Sequence, residues 1–373
     1  MVIFFLPAIS PIMKKWLSIC FSQLLTIVCS GQTLNQCEGP YVEYRKNDIL
    51  VRAIAADGKV LTDSFPVAEK DRHPIEVHFS NHSGWDFSVL LQKKLKTEPY
   101  NWGKADRIIA FSDIEGEFEA FRGLLIANQV MDEKYQWTFG KGNLVICGDL
   151  FDRGHDVAAE LWLLYKLEGE AKEQGGYVHT ILGNHDIMNL SGDFRYVQPK
   201  YFERAKKMGT EYQLLYTSRT ELGRWLLTKN LMEKISNGLY LHAGISREVL
   251  DLQWPLYKIN SDCREYYDKP MEADKYPDKN MWRLFDGEYS PFWYRGYFLE
   301  PRASQGLVDS TLSFYQVGKI IVGHDIIDSV SSFYQGKVIG IDVNEHEGNS
   351  QGLLIEGNVY YKIDLTGKKY PLP

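Results

Sequence analysis

Five short stretches carry the side chains that metal ions and proton transfers need. They are "FSDIEGEF" with Asp113 and Glu115, "GDLFDRG" with Asp149, Asp152 and Arg153, "GNHD" with Asn184 and His185, "LHAG" with His242, and "VGHD" with His324. Asp113, Asp149, Asn184, His242 and His324 each close an apolar run: "IIAFS", "LVICG", "HTILG", "GLYL" and "IIVG". A single Asp at such a place is ordinarily a turn former or helix N-cap. Five such endings, with oxygen and nitrogen donors only, suit divalent cations. Two cations about 3.5–4 Å apart can clamp a phosphoryl group and activate a water.

The elements around these residues must bring them to one place. From residue 105 apolar strands alternate with helical periodicity, including the predicted helices "EFEAFRGLLIANQ" and "DVAAELWLLYKLEGEAKEQ". Strand–helix–strand order implies an α/β sheet, and in such sheets sites form beyond the carboxyl ends of the strands. Phe118, Phe121, Leu124 and Leu125 share one helix face and are expected in the core. Residues 187–236 read as mostly helical and polar. Further strands are expected at "GLYLHAGIS", "KIIVGHD", "KVIGID" and "VYYKID". Residues 38–100 show short alternating runs separated by "ADGK" and "NHSG", a β-rich extension without chemistry of its own. Its simplest role is to cover an edge of the main sheet.

The motif series resembles the calcineurin-like metallophosphoesterases, within them the phosphoprotein-phosphatase type, and especially the bacterial Shewanella-like branch. The resemblance runs over residues 105–345 and includes "SPFWYRGY". It implies an α/β/β/α sandwich, two packed mixed β-sheets flanked by helices, with the small N-terminal β-rich extension added. It further implies that Asp113 and Glu115 hold a first metal, that Asp149 bridges two metals, and that Asn184, His242 and His324 complete the second. His185 becomes the general acid, oriented by Asp152. Arg153 and Arg295 grip phosphate oxygens, because a planar guanidinium matches them bidentately. The attacking group is then a metal-bridging hydroxide.

Three positions depart from that family pattern. Glu115 stands where the family usually has His, Asp186 where Glu is common, and Asp325 where Thr is frequent. Glu115 matters most, since it adds an anion. Two divalent ions bring +4, and Asp113, Glu115 and Asp149 leave +1 where two carboxylates would leave +2. Water is then polarised less and its pKa stays higher, while an all-oxygen set favours Mn²⁺ or Mg²⁺ over zinc at that position, with iron or zinc as the alternatives for the pair.

The expected reaction is hydrolysis of phosphate monoesters, on a phosphoprotein or a small phosphoester. The alternatives are a dinucleoside polyphosphate or phosphodiester hydrolase, or a catalytically damped module that binds metal or phosphoprotein. The chain has 373 residues and a net charge of -7, which argues against a nucleic-acid polymer as partner. Lys14 and Lys15, the run "WLSICFSQLLTIV" and the small residues of "CSGQ" read as a signal peptide, with Met13 as an alternative start. The expected organisation is 1–31 signal peptide, 32–100 extension, and 101–373 phosphoesterase domain. Export to the periplasm or medium is the expected location, with no membrane span left after cleavage. Bulky Val28 before Cys29 argues against a lipid anchor. Cleavage leaves Cys37, Cys147 and Cys263; Cys147 is expected in the core, and a Cys37–Cys263 bridge stays open.

Overall fold

A computed structural model describes residues 36–373, so the leader expected at residues 1–31 lies outside the described residues. At the start of the described chain, β1 (Glu38–Tyr44), β2 (Asp48–Ile54) and β3 (Val60–Pro66) form an antiparallel sheet. A hairpin of β4 (Pro74–Val77) and β5 (Phe87–Leu90) follows.

Two six-stranded sheets make the body. One contains β7 (Arg107–Phe111), β8 (Asn143–Cys147) and β9 (Tyr177–Ile181), mutually parallel, continued antiparallel by β15 (Gln351–Glu356), β16 (Val359–Asp364) and β17 (Lys369–Pro371). The other is ordered β13 (Ser331–Phe333), β14 (Val338–Gly340), β12 (Lys319–Val322), β11 (Gly238–Leu241), β10 (Met232–Ile235) and β6 (Asn101–Trp102). Within it β14, β12 and β11 are parallel. Both sheets are therefore mixed.

Side chains alternate across each strand, and this divides the core in two. Ile108, Ala110, Val145, Cys147 and Ile181 meet Ile235, Tyr240, Ile321 and Ile339 between the sheets. The intervening Ile109, Phe111, Leu144, Ile146 and Val178 join a second cluster with the helices. Among those helices are α1 (Phe118–Ala127) and α2 (Val157–Glu173). Phe118, Phe121, Leu124 and Leu125 are buried together on α1, as their spacing predicts.

The N-terminal strands do not cover a sheet edge. They cover α2, which is why that helix is apolar on nearly all sides. Trp162 donates to the Pro40 carbonyl at 2.7 Å, and the Gln92 amide donates to the Tyr165 hydroxyl at 2.6 Å. The region 187–236 is broken up. It holds α3 (Asn184–Ser191, beginning just before it), α4 (Pro199–Lys207), α5 (Glu221–Leu226) and strand β10. Cys147 lies in the inter-sheet core. Cys37 and Cys263 are both buried thiols rather than a disulfide; Cys263 packs 4.0 Å from the Met281 sulfur. Among the described residues no helix is long and apolar enough to cross a membrane.

Candidate metal centre and cleft

Asp113, Asp149, Asn184, His242 and His324 all lie just past the carboxyl ends of β7, β8, β9, β11 and β12, one rim of the two sheets. The turns that place them are tight. Among the described residues, Asp113, Glu115, Asp149, Asp152, Arg153 and His324 have φ between 45° and 78°. Such left-handed conformations cost about 1–3 kcal/mol each and persist where surrounding structure dictates them. Each ligand-type residue Asp149, Asn184 and His324 follows a glycine. A Cβ at Gly183 would sit 2.2 Å from Asp149 Oδ1, and one at Gly323 would sit 2.3 Å from Asp113 Oδ2. Strand ends can therefore approach this closely only without side chains there.

The first cluster centres on His242. Its Nδ1 donates to the Cys147 carbonyl at 2.8 Å, which points Nε2 inward. Around Nε2 stand Asn184 Oδ1 at 2.7 Å, His324 Nδ1 at 3.1 Å and Asp149 Oδ2 at 3.3 Å. Asp149, His242 and His324 bring their donor atoms within 4.8 Å of one another. The buried His324 Nε2 has no hydrogen-bond partner. Burial would lower the His242 pKa, but Asp149 and Asp113 outweigh it and push it up to about 10. The pocket thus calls for positive charge amid converging lone pairs, and a divalent cation meets that demand with O and N donors.

The second cluster joins Glu115, Asp149 and His185, again within 4.8 Å. The His185 Nε2 is 3.9 Å from both Glu115 Oε1 and Asp149 Oδ2. Asp113, expected beside Glu115 on the first metal, is in neither group: its Oδ2 accepts from the His324 amide at 3.0 Å and from the Ser112 hydroxyl. Burial above all, reinforced by Asp149 and Glu115, raises the Asp113 pKa to about 7. For Asp149, burial is overcome by the imidazoles of His242 and His185, and its carboxyl is held well below the usual range.

His185 is pinned from behind. Its Nδ1 lies 2.6 Å from Asp152 Oδ2. Asn189, one turn on along α3, donates to Asp152 Oδ1 at 2.9 Å and accepts from the Tyr212 hydroxyl at 2.7 Å. Burial would lower the His185 pKa, but Asp149, Asp152 and Glu115 raise it to about 9. Asp186 turns away from the cleft and accepts backbone N–H bonds from Gly183, Asp149 and Leu150 at 2.7, 3.1 and 2.9 Å.

Both arginines border the cleft, a cavity of about 290 Å³, and each is tied to a carboxylate. Arg153 pairs with Glu115 and Arg295 pairs with Asp325 at 2.5 Å. The guanidinium-bearing side chains are 45% and 47% exposed, whereas Glu115 and Asp325 are 1% and 5% exposed, so the paired charge comes from the protein side. Two of the three family departures are thus the partners of these arginines.

Sequence reading missed several residues here. Asn189 was detectable, because it lies four positions after His185 on one helix face. Tyr196, whose ring is 5.0 Å from that of His185, and His346, whose Nε2 is 2.6 Å from Glu115 Oε2, were not. Their loops carry no periodic signal. Asp342 also lines the cleft.

Comparison with known proteins places this geometry. The family model described as calcineurin-like phosphoesterase matches residues 106–328. A crystal structure of a cold-active protein-tyrosine phosphatase from a psychrophilic Shewanella superposes with a TM-score of 0.82 at 33% identity, covering 90% of this chain and 99% of that one. Shewanella-like protein phosphatase 2 of Arabidopsis thaliana is 25% identical over 305 residues, 67% of this chain and 74% of the relative. Shewanella-like protein phosphatase 1 of Plasmodium berghei (strain Anka) is 28% identical over 247 residues, 63% of this chain and 67% of the relative.

Proposed function

The chain belongs to the calcineurin-like phosphoesterase family, and from that premise we propose that it is a metal-dependent phosphatase acting on phosphate monoesters. The observation that carries this reading is the convergence of Asp149, Asn184, His242 and His324 on one point, next to an imidazole, His185, held from behind by Asp152. Asn184, His242 and His324 would hold one divalent ion, Asp113 and Glu115 the other, with Asp149 shared. When bound, the two ions supply activation of a water and neutralise charge on the phosphoryl oxygens.

The chain's own groups do the rest. Asp152 holds Nδ1 of His185 so that Nε2 faces the cleft, and its negative charge favours the protonated ring. His185 then donates its Nε2 proton to the departing alkoxide or phenoxide. Arg153 and Arg295 present their exposed edges to the phosphate while buried carboxylates hold the other edge. A separate acid and two guanidinium groups suit a monoester dianion better than a diester. Relatives named protein phosphatases support a phosphoprotein as substrate. We further propose Mn²⁺ or Mg²⁺ at the oxygen-rich first site, and export directed by the leader.

The test is purified wild type and Asp149→Asn, assayed for p-nitrophenyl phosphate hydrolysis and metal content with Mn²⁺, Mg²⁺ and Zn²⁺ in turn. Wild type should bind about two ions per chain and turn over. Asp149→Asn should lose hydrolysis and at least one ion. Metal binding without turnover under every condition would instead favour a binding module.

A further inference from the structure

We propose that His346 is a positioning residue that makes Glu115 a competent metal ligand; the proposal rests on the dinuclear reading above. Glu115 occupies a position where the family pattern has a nitrogen donor, and a glutamate there has a freedom that an imidazole lacks. It has one more rotatable bond than Asp and two equivalent oxygens, so it must be told which oxygen to offer and in which direction.

The fold supplies that instruction from a distant segment. The turn Glu345–Glu347 follows β14 and brings His346 over the cleft. Its Nε2 donates to Glu115 Oε2 at 2.6 Å, and its Nδ1 lies 2.9 Å from Glu117 Oε1. A ring held at both nitrogens by two carboxylates of the same strand–helix turn cannot rotate freely. Glu115 Oε2 is thereby occupied, and Oε1 is left on the side of Asp149 and His185. Arg153 steadies that oxygen from the cleft side. Glu115 is 1% exposed and His346 30%, so the histidine closes the outer side of a buried carboxylate. Partners that orient a ligating group typically change metal affinity about 10–100-fold. A nitrogen that is absent from position 115 has thus been replaced by an oxygen ligand plus an orienting nitrogen from residue 346.

The experiment is a Mn²⁺ titration of the full chain followed by electron paramagnetic resonance, on wild type, His346→Ala, His346→Gln, Glu115→His and the double variant Glu115→His/His346→Ala. His346→Ala should weaken one of the two Mn²⁺ sites about 10–100-fold and leave the other. His346→Gln, whose amide N–H can replace the Nε2 donor, should restore most of that affinity. In the Glu115→His background, removing His346 should change nothing, because no carboxylate is left to orient. Melting of the metal-free proteins checks that the fold is unaltered. The proposal is overturned if His346→Ala binds both ions as wild type does, if glutamine does not restore affinity, or if the loss is the same in the Glu115→His background. Asp149→Asn runs alongside: if it keeps both ions, the dinuclear reading itself fails and the proposal falls with it.

Discussion

His185 is the residue whose environment can be turned most directly into kinetics. Its pKa is raised to about 9 because Asp149, Asp152 and Glu115 outweigh burial. Asp149 and Glu115 would be engaged by bound metal, so the carboxylate left to favour the acid form is Asp152, and activity that needs that form is lost as pH rises through the His185 pKa. Asp152→Asn removes one of those carboxylates, so the alkaline limb of the kcat profile should move to lower pH. His185→Ala should cost about 10²–10⁴-fold in kcat on an alkyl phosphate. The loss should be much smaller on p-nitrophenyl phosphate, whose leaving group needs little protonation. Equal losses on both substrates would remove His185 from the acid role. The arginines offer a second lesson at this scale. Two side chains that differ from the family pattern, Glu115 and Asp325, are the groups that hold Arg153 and Arg295, so such departures are better understood through their contacts than by their positions.

At the scale of elements, the joint between β8 and α3 sets the spacing of the site. Asp186 sits in the first turn of α3 and accepts three backbone N–H bonds, two of them from the β8 turn that carries Asp149. Burial and the neighbouring Asp149 raise its pKa to about 7, yet it is retained as the acceptor for amides that have nowhere else to turn. Asp186→Ala should leave those amides unpaired, at about 1–3 kcal/mol for each buried orphan. Chemical denaturation should show a loss of roughly 3 kcal/mol or more, together with loss of the Asp149–Asn184 spacing and hence of metal. A variant with unchanged denaturation midpoint would show that the joint does not depend on this carboxylate. The apolar runs and glycines of this joint are visible in the sequence, but the cross-bonds are not, because Asp186 acts on residues 36 and 37 positions away.

Across the whole molecule, one buried cation ties together segments that sequence reading keeps apart. Lys229 is fully buried between Glu98, 2.7 Å away at the end of the N-terminal region, and Glu168 of α2. Trp225 donates to the same Glu168 at 2.8 Å. Burial would raise the Glu168 pKa, but Lys229 and Lys172 outweigh it and hold it at about 2, below its ordinary 4.5. A depressed carboxylate contributes stability above its unfolded pKa, so this share is present above about pH 4.5 and is lost as pH falls through about 2. Lys229→Met leaves buried Glu98 without this cation and Glu168 with Lys172 alone, and should cost about 3–5 kcal/mol at neutral pH. Combining it with Glu98→Gln and Glu168→Gln should recover much of that cost. A neutral single variant would show that the N-terminal region does not depend on this buried ion pair.

Much of the site is legible in the chain itself. An apolar run that ends in glycine and a ligand-type residue is a local pattern, and strand direction carries each such ending to the same rim of the sheets. The two packed sheets are what the motif resemblance implies, since runs such as "RIIAF" and "NLVIC" do not alternate, whereas the buried face of α1 follows from its helical period. What the tertiary structure alone decided was contact between residues far apart in the chain. His346 reaches Glu115 across 231 positions, Arg295 meets Asp325 across 30, and the N-terminal strands lie on α2 rather than along a sheet edge. Periodicity shows which way a side chain faces, but it does not reveal which distant group waits there, since that is set by how finished elements pack against one another.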